Sequence, residues 1–281
     1  MSGLPVMQRL VGAALRRYRV ERGFSLADAA LMIGCDPSKV SRIETGERGI
    51  REGDLAVLLA EYGVGEPGRA ALGGLAGRRS GGGWWQEYAW ALPETAADYI
   101  GLEAAASQML VWAPSRVPAL LAADAYARAM AGHDPAVPAD AAGTVTEVTA
   151  HRQRTVLGPG LTQLTVVIGE AALRQQVGGA DVMRAQLDKL ARLAGEGAPA
   201  AIQVLPFSSG AHAGAGAGPL TVFRLAQAPG LGVVHVDGVT GGTFLDSPRD
   251  LDEHTTAHAR LRASALSPEE SAALLWRLAG Q

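Results

Sequence analysis

The sequence predicts two domains of different class: an all-α N-terminal domain of five helices over residues 1–80, and an α+β domain over residues 84–281. Three observations carry this. A chain of 281 residues, 48% of them apolar, suits about two domains with ample buried core. Residues 6–62 show only helical periodicity, whereas beyond Trp84 strand-like apolar runs alternate with helical ones. Between the two lies "GEPGRAALGGLAGRRSGGG" (65–83), rich in glycine with one basic pair, which reads as a linker.

The N-terminal elements follow in order. Residues 6–21 place Leu10, Ala14, Leu15 and Tyr18 at helical spacing, and Gly23 ends the run. Ser25, with Asp28 three residues on, forms a capping-box pattern ahead of Leu26, Ala29, Ala30 and Ile33, and Gly34 closes this second helix. Asp36 caps a third helix, Pro37 suits its first turn and Gly46 ends it. On a helical wheel Pro37, Val40 and Ile43 form its core face, while Ser38, Ser41 and Arg42 point the other way with Lys39 on the flank. After a loop over 45–50, an amphipathic fourth helix carries Leu55, Leu58, Leu59 and Tyr62, and a short fifth around Arg69–Leu75 closes the domain. Helix, tight turn, helix is the helix-turn-helix arrangement.

In the second domain the pattern predicts helices near 95–112, 140–157, 170–177 and 181–195, and two terminal helices over 249–264 and 268–279. Strand-like runs occupy 163–168, 201–207, 220–226 and 232–237. No internal repeat of fixed period occurs, and "AHAGAGAGP" (211–219) is the one low-complexity piece.

Charge is unevenly distributed. Residues 1–51 hold nine Lys or Arg against five Asp or Glu, a net of +4, and the remaining residues carry −7. A cationic field at one end fits a bound anionic polymer. The apolar runs all fall short of the about 18 residues a membrane span needs, and Arg9, Arg16 and Arg17 interrupt the start, so a cytoplasmic protein without a membrane partner is expected. The single cysteine, Cys35, excludes an internal disulfide framework and argues against a cysteine-built zinc site.

The second helix of a helix-turn-helix lies in the major groove of double-stranded DNA, where short polar and cationic side chains reach base edges and basic ones meet phosphates. Ser38, Lys39, Ser41 and Arg42 have the right chemistry and direction for base contact, and Arg16, Arg17, Ser25, Thr45 and Arg48 are the further candidates for the DNA interface.

At these residues "SLADAALMIGCDPSKVSRIETGERGI" (25–50) resembles the Xre-type helix-turn-helix of the phage-repressor superfamily, including the ending Ser41 to Gly46. The remainder resembles the long actinobacterial regulators of the WhiJ-like type through "DYIGLEAAAS" (98–107), "VPALLAADAYARA" (117–129), "EAALRQQVGG" (170–179), "IQVLPF" (202–207) and "ALSPEES" (265–271). The resemblance implies a homodimeric regulator that binds a DNA operator and is encoded beside a small partner protein, with an antitoxin-like role in some relatives. The chain departs from that pattern: Pro118-Ala119-Leu120-Leu121-Ala122-Ala123 stands where the family reads Pro-Gly-Leu-Leu-Gln-Thr, and Thr149 stands where an arginine is expected. Both departures remove polar groups.

No enzyme chemistry is expected. His254 and His258 lie four apart on a predicted helix without the H-E-x-x-H arrangement, which predicts a solvated face rather than a metal pair. The "GAGAG" at 214–218 leads through Pro219 into a strand, the wrong context for dinucleotide binding, and neither G-x-S-x-G nor a Walker-type loop occurs. No cofactor is implied. The crowded Trp84, Trp85, Tyr88 and Trp90 divide between a core anchor and a surface that meets a ligand or partner. Glu170 and Arg174 read as a helix-face ion pair, with ligand contact as the alternative. Trp85, Trp112 and Tyr126 are candidates to wall a mostly apolar small-molecule pocket, and a solid core with a flat protein-binding face stands as an equal alternative. The expected function is a sequence-specific transcriptional regulator whose second domain dimerises and senses a signal, or else an antitoxin-like protein that holds a small partner and controls its own promoter.

Overall fold

The computed structural model describes residues 6–78, 83–93, 95–158, 163–195, 200–225, 231–238 and 241–280. The chain divides into two compact units, Met1–Gln86 with Arg224–Gly232, and Glu87–Phe223 with Val233–Gln281.

The first unit holds five helices: α1 (Val6–Glu21), α2 (Leu26–Met32), α3 (Pro37–Glu44), α4 (Glu52–Glu61) and α5 (Glu66–Arg78). Their ends follow from local chemistry. Ser25 accepts from the Asp28 amide while the Asp28 carboxylate accepts from the Ser25 amide, a reciprocal cap that satisfies two otherwise orphaned donors. Asp36 accepts from the Lys39 amide at 3.0 Å, and Pro37 stands at the first helical position of α3. Between α2 and α3 the chain turns at Gly34, whose φ of +61° suits a residue without a Cβ. Leu10, Leu15, Ile43, Leu55, Leu58, Leu59 and Tyr62 are buried together with Leu72 and Leu75 of α5, so the leucines of the expected linker complete the core. That helix is longer than the expected Arg69–Leu75, and the linker residues 79–82 lie outside the described residues.

One expectation for α3 changes. Pro37 is exposed rather than part of the core face, which consists of Val40, Ile43 and the aliphatic part of Glu44. As the first helical residue Pro37 stands at the open end of α3, next to the Asp36 cap. Gly12 of α1 is the reason α3 packs so close: a Cβ there would stand 2.3 Å from the Ile43 carbonyl oxygen.

In the second unit helices flank a six-stranded sheet of order β3-β2-β1-β4-β5-β6, built from β1 (Gln108–Ala113), β2 (Gln163–Gly169), β3 (Ala200–Leu205), β4 (Leu220–Arg224), β5 (Gly232–Val236) and β6 (Thr243–Leu245). β1, β2 and β3 run parallel, with Val111 opposite Val166 and Val166 opposite Ile202; β6 is antiparallel to β5, with His235 opposite Phe244. The helices are α6 (Ala96–Ala105), α7 (Asp124–Ala131), α8 (Ala142–Val156), α9 (Glu170–Arg174), α10 (Ala180–Leu193), α11 (Pro248–Ser264) and α12 (Pro268–Ala279). Leu110, Trp112, Val167, Leu205, Leu220, Val222 and Val234 form one core layer with Leu251 and Leu261 of α11.

The expected helix over 95–112 is two elements: α6 ends at Ala105, and "QMLVWA" is the central strand β1. A strand covered on both faces reads as a continuous apolar run, which periodicity alone does not separate from a buried helix. α7 and β6 had no counterpart in the sequence reading. His258 also departs from its expected solvated face: it is 1% exposed, and its Nε2 lies 3.1 Å from the Val111 carbonyl oxygen. Burial pushes its pKa down to about 4, against the opposing effect of that hydrogen bond. The low-complexity turn has a packing role, because Gly214 lies against the Trp112 indole where a Cβ would come within 2.9 Å.

Candidate functional site

The outward face of α3 carries Ser38, Arg42 and Thr45, all exposed and spaced four and three residues apart, so they share one side of the helix. Ser41 is half-buried beside them and Arg48 is exposed in the following loop. Their local bonds leave most of this chemistry available. Arg42 touches the Ser38 carbonyl oxygen only through Nε at 3.4 Å, and Thr45 donates to the Arg42 carbonyl at 3.3 Å. Ser38 donates to the capping carboxylate of Asp36, which that bond and the Lys39 amide hold below the usual carboxylate range.

Lys39 stands half-buried on the flank of this face. Its Nζ meets Asp54 Oδ2 of α4 at 3.0 Å, with both side chains about four-fifths out of water, so its charge is already matched. Ser25 is likewise occupied, donating to Asp28 Oδ2 at 2.7 Å within its cap. Arg16 is exposed on α1, and Arg17 beside it pairs with Glu21 at 2.7 Å. The face can therefore present hydroxyls and one guanidinium to a groove, with Arg16 and Arg48 as further exposed cations.

What holds α3 is a buried ion pair that sequence reasoning missed. Arg19 Nε and Nη2 donate to the two oxygens of Glu44 at 2.6 and 2.9 Å, and Nη1 donates to the Phe24 carbonyl at 2.7 Å. The hydrogen bond that Arg19 donates to Glu44 leads the causes that raise the Arg19 pKa.

A second site lies wholly within the second unit. A cavity of about 270 Å³ opens beside β1, bounded by Met109 and Val111, by Leu164 and Val166 of β2, and by residues of α6, α7 and α8. Trp112 and Tyr126 are among its lining residues. Trp85 belongs to the first unit and is not among the described lining residues. Glu170 and Arg174 are also elsewhere: they pair at 2.7 Å on α9, and Glu170 accepts from the Phe207 amide at 2.9 Å.

The cavity's polar side was not foreseen. Arg152 of α8 donates through Nε and Nη2 to both oxygens of Glu103 of α6, at 2.8 and 2.6 Å, with the Glu103 side chain 1% exposed. Burial works against the Arg152 charge, but the Glu103 carboxylate outweighs it and the guanidinium pKa rises. Its carbon lies 5.4 Å from the centre of the Tyr99 ring, whose hydroxyl is 3.1 Å from Thr221 Oγ1. At another part of the lining Arg116 pairs with Asp237 at 2.6 Å, and His235 Nδ1 is 3.4 Å from Asp237 Oδ1. Burial pushes the His235 pKa down, more than Asp237 pushes it up. The signals that point to these groups are a lone acid in the apolar helix "IGLEAAA" and a lone histidine in "VVHV". Among the described residues no group of three or more His, Cys, Asp or Glu side chains is placed to hold a metal ion, and no helix is long and apolar enough to cross a membrane.

Comparison with protein families bears on both sites. Residues 10–72 match a helix-turn-helix domain, the segment that contains α2, the Gly34 turn and α3. Residues 96–277 match the domain of unknown function DUF5753, which spans the second unit's sheet and its helices from α6 into α12. The chain belongs to the DUF5753 family. The DUF5753 segment thus carries the cavity and the Glu103–Arg152 pair, and the helix-turn-helix segment carries the α3 face. No curated protein and no solved structure matches the chain.

Proposed function

We propose that this DUF5753-family protein is a sequence-specific DNA-binding transcriptional regulator, cytoplasmic and without enzymatic activity, whose second unit dimerises and receives a signal. The observation that carries the reading is the exposed Ser38–Arg42–Thr45 face of α3, set behind a capped turn within a matched helix-turn-helix segment. Such a face supplies hydroxyl and guanidinium donors at the spacing of major-groove base edges. A dimer would place two α3 helices on half-sites about 34 Å apart and so read a palindromic operator. The resemblance to WhiJ-like actinobacterial regulators is in keeping with this assignment. The test is binding of full-length protein to its own promoter at one fixed salt concentration, with Ser41→Ala and Arg42→Ala as variants; wild-type affinity in both removes α3 as the recognition helix.

A second reading is favoured by two outward apolar side chains of the second unit, Phe207 at 65% and Trp276 at 51% exposure. In that reading the second unit holds a small protein encoded by a neighbouring gene, in an antitoxin-like role, and DNA binding serves the protein's own promoter. A stable one-to-one complex with that neighbour, purified together with the full chain, distinguishes it.

A further inference from the structure

The cavity beside β1 sits where the sheet changes direction. From β1 the chain adds β2 and then β3 on one side, and after β3 it continues with β4, β5 and β6 on the other. Open α/β sheets bind ligands at such reversals, because the connections diverge there and leave a crevice. Its volume of about 270 Å³ lies just under the usual range for small-molecule sites. At about 30 Å³ per water this is the room of roughly nine waters, or a ligand of roughly ten non-hydrogen atoms.

The lining decides what such a ligand is. Met109, Val111, Leu164 and Val166 offer no hydrogen bond, so most of the occupant must be apolar. The cationic groups are already neutralised: Arg152 by Glu103 at 2.6 Å and Arg116 by Asp237 at 2.6 Å. The remaining charged lining residue, Asp134, is negative. An anion entering here would meet no unmatched positive charge, and a cation would lie beside the guanidinium of Arg152. Arg152 uses Nε and Nη2 on Glu103, and among the described residues Nη1 has no acceptor; Arg116 uses only Nη2, on Asp237, and the lining residues Trp112 and His235 each carry a buried ring nitrogen without a partner. Stacking over Tyr99 and the bidentate grip of Glu103 hold the Arg152 guanidinium in one orientation.

We propose that this cavity binds an uncharged, mainly apolar small molecule of roughly ten non-hydrogen atoms, with an oxygen acceptor that is met by Arg152 Nη1, the donor whose orientation Glu103 and Tyr99 fix. This rests on the reading of the second unit as the receiver of a signal, and it adds the chemical class of that signal. Arg152 is then the orienting residue, Glu103 the residue that positions it, and the β1–β2 surface the apolar floor.

The test is titration calorimetry and thermal shift on the full chain without DNA. Three uncharged ketones serve as probes, methyl heptyl ketone, propiophenone and menthone, beside n-decane, nonanoate and nonylamine. At least one ketone is expected to bind saturably, ten-fold or more tightly than the acid, the amine and the hydrocarbon. Ala127→Trp, which fills the cavity from α7, is expected to abolish binding while far-UV circular dichroism and melting stay at wild-type values. The double variant Glu103→Leu/Arg152→Met, which removes both charges at similar volume, is expected to lose the preference for ketone over hydrocarbon. No ketone binding to the folded wild type, tighter binding of nonanoate or nonylamine, or unchanged ketone affinity in Ala127→Trp would overturn the proposal. Operator affinity measured with and without bound ketone is a separate readout. A ketone that binds and leaves operator affinity unchanged keeps the site and removes its signalling role, since equal affinity for both states shifts nothing; operator binding without ketone binding does the reverse.

Discussion

Arg19 and Glu44 form a two-bond ion pair at 2.6 and 2.9 Å, with side chains only 11% and 4% exposed, that ties α1 to the last residue of α3. Glu44 directly precedes the loop that carries Thr45 and Arg48, so the pair sets where the outward face of α3 stops. Removing one partner leaves a buried charge unmatched, whereas removing both leaves an apolar contact. Glu44→Gln or Arg19→Met alone is therefore expected to cost about 3–5 kcal/mol of first-unit stability, and Arg19→Met/Glu44→Leu much less. Chemical denaturation followed by far-UV circular dichroism measures this; additive single and double effects would remove the coupling.

Close approach of two helices gives a second outcome. Gly12→Ala puts a Cβ 2.3 Å from the Ile43 carbonyl oxygen and 2.8 Å from that of Glu44, both backbone atoms with little freedom to move. A loss of about 1–3 kcal/mol is expected, with α3 displaced. Gly74→Ala in α5 meets nothing within 4 Å and is expected to stabilise the helix by about 0.5–1 kcal/mol. The two melting temperatures should move in opposite directions.

These two relationships mark the limit of what the chain discloses before folding. α1 to α4 were legible because each carries its own punctuation: Ser25 with Asp28, Asp36 with Pro37, and glycines at the ends. Arg19 and Glu44 are 25 residues apart, and Glu103 and Arg152 are 49 apart. Pairings of that range have no local pattern and follow only from tertiary packing. β1 was misread as helix because both its faces are covered, which erases the alternation that marks a strand. The partner of Lys39 is of the same tertiary kind as those pairings, since the helix that follows brings Asp54 within 3.0 Å of it.

That last contact separates the basic residues by their expected effect on DNA. Arg42→Ala should cost about 1–3 kcal/mol and relax the sequence preference, as loss of a base contact does. Arg16→Ala and Arg48→Ala should weaken all duplexes alike and lower the slope of log affinity against log salt by about one each. Lys39→Met, whose charge Asp54 already matches, should leave that slope unchanged. Salt titrations of the four variants on operator and random duplexes make the comparison.

Buried His258 sets an acid limit on the second unit. Its folded pKa of about 4 lies below the ordinary 6.5, so between these values the unfolded chain binds the extra proton and stability falls as pH drops. The slope is about 1.4 kcal/mol per pH unit at most, and the loss levels off once the folded pKa is passed. His258→Gln, which keeps a donor for the Val111 carbonyl, is expected to flatten this dependence between pH 6.5 and 4. Equal slopes for wild type and variant in denaturant titrations would place the acid sensitivity in other groups.

Selection from a pool of random-sequence duplexes by the full-length protein, at fixed salt, tests the central claim most directly. The account predicts enrichment of one motif with two inverted half-sites whose centres are about one helical turn apart, and loss of base preference at one position of each half-site in Arg42→Ala. Recovery of duplexes with no common motif, or of the same motif at undiminished strength by Arg42→Ala, would contradict it.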